Sequence, residues 1–200
     1  HSTKWGNKFF NAVRNYLMFH SVCSLITKKL ACSETVGKFW YGKNYTVINN
    51  GIELEKFAYN EEIRNKFRKE FGIENNFAVG HIGRFSNEKN HTFLLDIFNE
   101  TIKLDKSAIL LLIGTGPLEK TIKEKVMTCN LQDKVKFLGV RRDCNNLYQA
   151  MDCFVLPSKQ EGLPMTGIEA QTSGLPCVFS TAVPKDVLIL PESKRLDLQQ

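Results

Sequence analysis

From residue 45 onward, short runs of strand-forming residues alternate with longer stretches whose apolar positions recur at helical spacing. The runs 45–49, 77–82, 108–113, 135–138, 153–156 and 177–180 read as strands. Four of them are apolar almost throughout, the pattern of a strand covered on both faces, whereas a strand with one wet face alternates. Between them, Phe93, Leu94, Ile97, Phe98 and Ile102 share one helical face, and Leu118, Ile122 and Val126 share another. Turn residues fall in step at Gly83, Gly114, Gly116, Pro117, Gly139, Pro157 and Gly174. This rhythm predicts βαβ units, hence an α/β fold: a Rossmann-like parallel sheet with flanking helices. Ligands of such a sheet bind beyond the carboxyl ends of the strands, on loops that lead into helices. Those loops here are 83–90, 114–117, 139–143 and 157–164.

Composition narrows the class. The chain has 200 residues, 42% hydrophobic and 24% charged, which excludes disorder, collagen and coiled coil. A chain this long buries roughly 70% of its unfolded surface, so a core forms without covalent staples. The six cysteines never form a CxxC pair, which favours reduced thiols over a zinc site or a disulfide framework. The net charge is +6, and residues 1–50 account for all of it, with seven Lys/Arg against Glu34. A basic excess at one end fits a surface facing phosphates or anionic lipid better than a nucleic-acid domain, and no aromatic-basic RNA module appears. The longest uncharged stretch near the start, 15–27, has 13 residues, too few for the roughly 20 of a spanning helix. Lys28 and Lys29 stand where small residues should precede signal cleavage. Phe9, Phe10, Val13, Tyr16 and Leu17 follow helical spacing among Lys4, Lys8 and Arg14, predicting a basic amphipathic helix that rests on an anionic bilayer or packs within a domain. The first residue is His1 rather than Met, so the sequence is expected to begin inside a longer protein.

Three loops carry candidate chemistry. In the first, Gly83 and Arg84 follow a buried strand, and Lys89 stands five residues on at a helix start. Two cations beside helix-terminal amides suit a diphosphate, and a solvated basic loop is the plainer alternative. In the second, Gly114 and Gly116 either admit a ligand to the backbone or make a tight turn, with Pro117 suited to the first turn of a helix. Neither GxxxxGK[ST] nor a full GxGxxG is present, which disfavours a Walker-type triphosphatase and a dinucleotide fold. The third loop places Glu161 eight residues before Glu169, framed by Pro157 and Ser158 before, Gly162, Leu163 and Pro164 within, and Gly174 and Pro176 after. A helix N-terminus offers free amides to anionic oxygen, and two carboxylates suit sugar hydroxyls.

These ordered motifs resemble the C-terminal domain of the retaining family 4 glycosyltransferases of the GT-B fold, particularly those of bacterial capsular and exopolysaccharide synthesis. The likeness runs over roughly 140 residues, from Val47 to Val187, and includes Gly83, Arg84, Lys89, the 114–117 turn, Phe137 to Gly139, the 150–157 strand and the Glu161/Glu169 frame. The resemblance implies three segments: 1–44 as the end of an acceptor-binding N-terminal domain that is otherwise absent, 45–187 as the donor-binding domain, and 188–200 as an atypical tail. It implies that Arg84 and Lys89 contact the donor diphosphate, assisted by the amides of Thr166 and Gly167. Glu169 would bind the ribose hydroxyls. Glu161 would face the donor sugar beside the amides of Gly162 and Leu163, and Val140 and Arg141 would border the base. Gly83, Gly114 and Gly116 complete the donor-binding set.

The implied reaction moves a sugar from a nucleoside diphosphate sugar, UDP as the expected nucleotide, to a glycan or lipid-linked acceptor with retention. No Asp-x-Asp is present, so neither metal nor cofactor is expected. By the family's front-face mechanism the leaving phosphate takes the acceptor proton, so no dedicated base is nominated. The expected location is cytoplasmic, peripheral at the inner face of a membrane at most, with no nucleic-acid partner. Two other readings stay open: a nucleotide-sugar binding fragment without turnover, and a GT-B epimerase.

Overall fold

The computed structural model describes residues 27–198, and the chain divides into two compact units, residues 1–49 and 50–200. The amphipathic helix expected around Phe9 to Leu17 lies outside the described residues. In the first unit, β1 (Leu30–Ala31) pairs in parallel with β2 (Thr46–Val47) around helix α1 (Glu34–Tyr41). Ser33 caps α1 by accepting from the Val36 amide at 3.2 Å, and Glu34 in the first turn complements the helix dipole. Of the strand expected at 45–49, only Thr46–Val47 pairs.

The second unit is built on six parallel strands: β3 (Ala78–Ile82), β4 (Ile109–Ile113), β5 (Val135–Gly139), β6 (Cys153–Leu156), β7 (Cys177–Ser180) and β8 (Lys194–Leu196). Their spatial order is β5-β4-β3-β6-β7-β8. The chain enters at the centre, winds outward to β5, returns to lay β6 on the other side of β3, and winds outward again to β8. The order of connection reverses between β3 and β6, and their carboxyl ends open a crevice there.

Alternation along each strand divides the core. Ile109, Leu111 and Ile113 of β4 join Phe67, Leu147, Tyr148 and Phe154 on one face. Leu110 and Leu112 join Leu94, Phe98, Ile122 and Val126 on the other. Complete burial of one such leucine stabilises the fold by about 1.5–3 kcal/mol, which is why the strands expected to be covered on both faces form here. The covering helices are α2 (Leu54–Phe57), α3 (Glu61–Phe71), α4 (His91–Leu104), α5 (Glu119–Thr128), α6 (Cys144–Gln149) and α7 (Met165–Thr172).

Three features differ from or add to the reading of the sequence. Helix α5 starts at Glu119, so Pro117 precedes it instead of occupying its first turn; the Leu118 amide donates to the Phe85 carbonyl (3.0 Å) and holds this segment against the 83–90 loop. The sheet runs past residue 187, with β8 pairing in parallel to β7 from Val178/Lys194 to Ser180/Leu196. At the opposite end of the sheet from the crevice, Asp152 fixes the β3–β6 pair. It accepts from the Ala78 amide at 2.7 Å and is paired with Arg64 and Arg68, while Arg68 also donates to the Ala150 carbonyl.

Candidate active site

Both loops at the switch point come from strands that end in the core. After β3 the chain passes Gly83 and Arg84, turns through Asn90 in a left-handed conformation (φ 55°), and enters α4. After β6 it passes Pro157 and Ser158 and enters α7 behind Pro164. The loops are joined at three points. The Lys159 amide donates to the Glu88 carbonyl (2.7 Å), the Asn90 side-chain amide donates to the Pro157 carbonyl (3.2 Å), and Lys89 Nζ donates to Glu161 Oε1 (2.6 Å). The same Glu161 oxygen accepts from the Ser158 hydroxyl at 2.7 Å. Ser158 is completely buried, and its own carbonyl accepts from the Ser180 hydroxyl. Glu161 is thus held from behind by a hydroxyl and from the facing loop by an ammonium.

Helix α7 brings the second carboxylate. Pro164 gives its first turn no side-chain cap, and that turn holds no acidic residue to meet its dipole and amides. The Gly167 amide donates to the Pro164 carbonyl (3.1 Å), whereas the Thr166 amide, the other member of the predicted pair, meets no backbone acceptor among the described residues. Gly167 serves packing instead: a Cβ there would come within 2.8 Å of the Phe179 ring. The Thr166 hydroxyl is buried with no hydrogen-bond partner among the described residues. Glu169 Oε2 accepts from the Tyr148 hydroxyl at 2.9 Å.

The remaining predicted residues divide by role. Arg84 is exposed on the rim of the crevice and forms no side-chain hydrogen bond or ion pair among the described residues. Gly162 is exposed and Leu163 half-buried, both between Glu161 and α7. Gly114 and Gly116 fit their backbone against the first loop. A Cβ on Gly114 would sit 2.1 Å from the Gly83 carbonyl oxygen, and one on Gly116 would sit 2.6 Å from that of Phe85. Close backbone approach, with φ +129° at Gly114, therefore accounts for both glycines. Val140 is exposed beyond β5, and Arg141 beside it is engaged by Asp143 through two hydrogen bonds of 2.8 and 2.7 Å. No side-chain bond joins Val140 or Arg141 to the Lys89–Glu161 pair.

Four residues that sequence reasoning does not assign to the site lie within it or directly beneath. Ser158 stands in the recognised frame but without a role, and Tyr148 gives no signal, because its partner is 21 residues away on another helix. His81, in mid-strand, is visible as a histidine among apolar neighbours, and it meets His91 edge-on with ring centroids 4.5 Å apart. His81 Nδ1 lies 2.8 Å from the Val155 carbonyl, while its Nε2 and both His91 nitrogens are buried and unpartnered among the described residues. Burial pushes both histidines down, His81 to about 3 and His91 to about 4, so both imidazoles are neutral near pH 7. The Lys89 ammonium adds to the depression of each.

Comparison with known proteins agrees with this geometry. The profile of the family described as Glycosyl transferases group 1 matches residues 76–193. The Bacillus subtilis protein EpsF is 34% identical over 196 residues, covering 94% of this chain and 51% of its own. The Escherichia coli UDP-Gal:alpha-D-GlcNAc-diphosphoundecaprenol alpha-1,3-galactosyltransferase is 34% identical over 151 residues, covering 74% of this chain and 39% of its own. This chain thus spans about half the length of these relatives or less. Among solved structures, Anabaena Alr3699/HepE in complex with UDP and glucose superposes with a TM-score of 0.75 at 25% identity, over 85% of this chain and 48% of that one. The C-terminal domain of the Francisella tularensis group 1 protein LpcC superposes at 0.65 over 80% of its length, at 19% identity, a likeness of fold. Profile and topology converge on the stretch that forms the crevice, and the chain belongs to the glycosyl transferases group 1 family, its 50–200 unit having the fold of the C-terminal Rossmann-like domain of a GT-B glycosyltransferase.

Proposed function

We propose that this chain binds a nucleoside diphosphate sugar, with UDP as the nucleotide, across the β3–β6 crevice. In the whole protein the sugar passes with retention to a hydroxyl of a glycan or lipid-linked acceptor, in polysaccharide biosynthesis at the cytoplasmic face of a membrane. The observation that carries the reading is the meeting of Lys89 with Glu161 beside a helix N-terminus that has no side-chain cap. Cation and amide are the groups that take up diphosphate oxygens. The Anabaena protein was solved in complex with UDP, and the E. coli enzyme is named for a UDP-sugar donor; both support the choice of nucleotide.

In this reading Arg84, Lys89 and the Thr166 amide bind the diphosphate, Glu169 accepts from the ribose hydroxyls, and Glu161 orients the donor sugar beside the amides of Gly162 and Leu163. Gly83, Gly114 and Gly116 shape the floor, and Val140 and Arg141 border the base. During transfer the bond from the anomeric carbon to the β-phosphate oxygen breaks, and its electron pair stays on the phosphate. The acceptor oxygen bonds to the same face of that carbon, and its proton passes to the leaving phosphate. Charge therefore grows on the diphosphate, and the fixed cations and amide stabilise it more in the transition state than in the ground state.

Thermal denaturation with UDP, GDP, ADP and CDP tests the donor class. A nucleotide at a hundred times its Kd contributes about 2.7 kcal/mol, or about 5–10 °C for a domain of this size. UDP is expected to give the largest shift, and equal shifts from all four would contradict the choice of base. Retention is checked by NMR of the anomeric configuration in the product of an α-linked UDP-sugar, where a β-linked product overturns it.

A further inference from the structure

Glu169 is fastened from behind. Its carboxylate Oε2 accepts from the Tyr148 hydroxyl at 2.9 Å, and the same hydroxyl lies 3.2 Å from the Thr166 carbonyl in the first turn of α7. Tyr148 has no exposed surface. Its ring is flanked by Phe57 and Phe154, with centroids 6.1 and 5.8 Å away. A glutamate side chain has broad freedom at its last torsion, so an unsupported carboxylate would sample many orientations. Here a side chain fixed by the core supplies a charge-assisted bond to one oxygen, while the other, Oε1, takes no hydrogen bond among the described residues. Burial and the neighbouring Glu169 charge push the Tyr148 phenol far above its ordinary value, so it remains a donor at any working pH.

We propose that Tyr148 is a positioning residue for nucleotide recognition: through Glu169 it sets how firmly the site holds the two ribose hydroxyls. The proposal rests on the reading of Glu169 as the ribose ligand. It extends that reading into the core, to a residue that touches no ligand itself. Aromatic packing that orients a polar group at the surface is the arrangement by which a scaffold preorganises a binding site.

The test measures the affinities of the full chain for UDP and for 2′,3′-dideoxy-UDP by calorimetry, using the unaltered protein, Tyr148→Phe, Glu169→Gln and the double variant. Tyr148→Phe retains the ring that the core requires, and circular dichroism with thermal denaturation checks that each variant is folded. The expected result is a fivefold to tenfold loss for UDP in Tyr148→Phe, on the order of one ordinary hydrogen bond because the effect reaches the ligand only through Glu169, with dideoxy-UDP affinity changed less than twofold. The double variant is expected to bind UDP no more weakly than Glu169→Gln, because both substitutions remove one coupled interaction. If Glu169→Gln weakens UDP selectively and Tyr148→Phe does not, the role of Tyr148 is overturned while the ribose reading stands. Equal losses for the two nucleotides in Tyr148→Phe also overturn it, leaving Tyr148 a packing residue. If Glu169→Gln fails to separate UDP from dideoxy-UDP, the ribose reading itself falls, and the proposal with it.

Discussion

His81 and His91 lie under the first loop of the site, stacked edge to face and excluded from water, with three of their four ring nitrogens unpartnered among the described residues. Their folded-state values of about 3 and about 4 lie well below 6.5. Between those limits the unfolded chain binds protons that the folded chain refuses, so stability is full above about pH 6.5 and falls as the pH drops toward 4. The loss is about 1.4 kcal/mol per pH unit for each histidine. Asp152 does not confuse this window. Burial alone would raise its carboxyl, but the Ala78 amide and then Arg64 and Arg68 hold it below its ordinary value. Its contribution is therefore full above the usual carboxylate value and is lost as the pH falls from there through the lowered folded value, at the acid end of the histidine window. Urea midpoints at pH 7, 6 and 5 are expected to decline steeply for the unaltered protein and about half as steeply for His91→Phe. A midpoint that is constant over this range would show that the pair is not held neutral by the fold.

Among the elements, the β3–β6 pair matters most, because it sets the spacing of the two site loops. Asp152 binds its amino-terminal end by accepting from Ala78 and pairing with two arginines that also hold the carbonyls of 149–151. Asp152→Ala would leave mostly buried guanidiniums without their anion and is expected to cost about 3–5 kcal/mol in a urea titration. Asp152→Asn keeps an acceptor for Ala78 and is expected to cost less; equal losses would contradict the anchoring of the amide. The strands themselves are legible in the sequence because Ile109 to Ile113 and Phe154 to Leu156 are apolar on both faces, which only a doubly covered sheet explains. Strand β8 is not, because Lys194, Arg195 and Leu196 form an edge strand, where polar side chains face water and apolar continuity is not required. Helix α3 is absent from the sequence reading although its signals stand in the chain: the Asn60 cap, acidic Glu61 and Glu62 first, basic Arg68 and Lys69 last, and Gly72 in the left-handed conformation after it. Lys89, Glu161 and Glu169 can be singled out because loop position and residue type suffice to nominate a ligand. Ser158 and Tyr148 cannot be given roles, because a supporting hydrogen bond is a fact of packing between elements and has no fixed spacing in sequence.

In the whole molecule, the order β5-β4-β3-β6-β7-β8 brings the 83–90 and 157–164 loops to one crevice, the proposed place of the nucleotide diphosphate. The chain spans about half of EpsF and 39% of the E. coli galactosyltransferase, so binding of the proposed nucleotide is measured here rather than transfer. Binding separates from transfer if nucleotides of the same base and increasing phosphate number are compared. The most direct measurement is therefore calorimetry of uridine, UMP and UDP with the unaltered chain, Arg84→Ala and Lys89→Ala. Affinity is expected to rise from uridine to UDP, with a loss of at least tenfold for UDP in each variant, about 1.4 kcal/mol, and uridine unaffected. Equal affinities for uridine and UDP, or a UDP affinity indifferent to both substitutions, would contradict recognition of the diphosphate in this crevice.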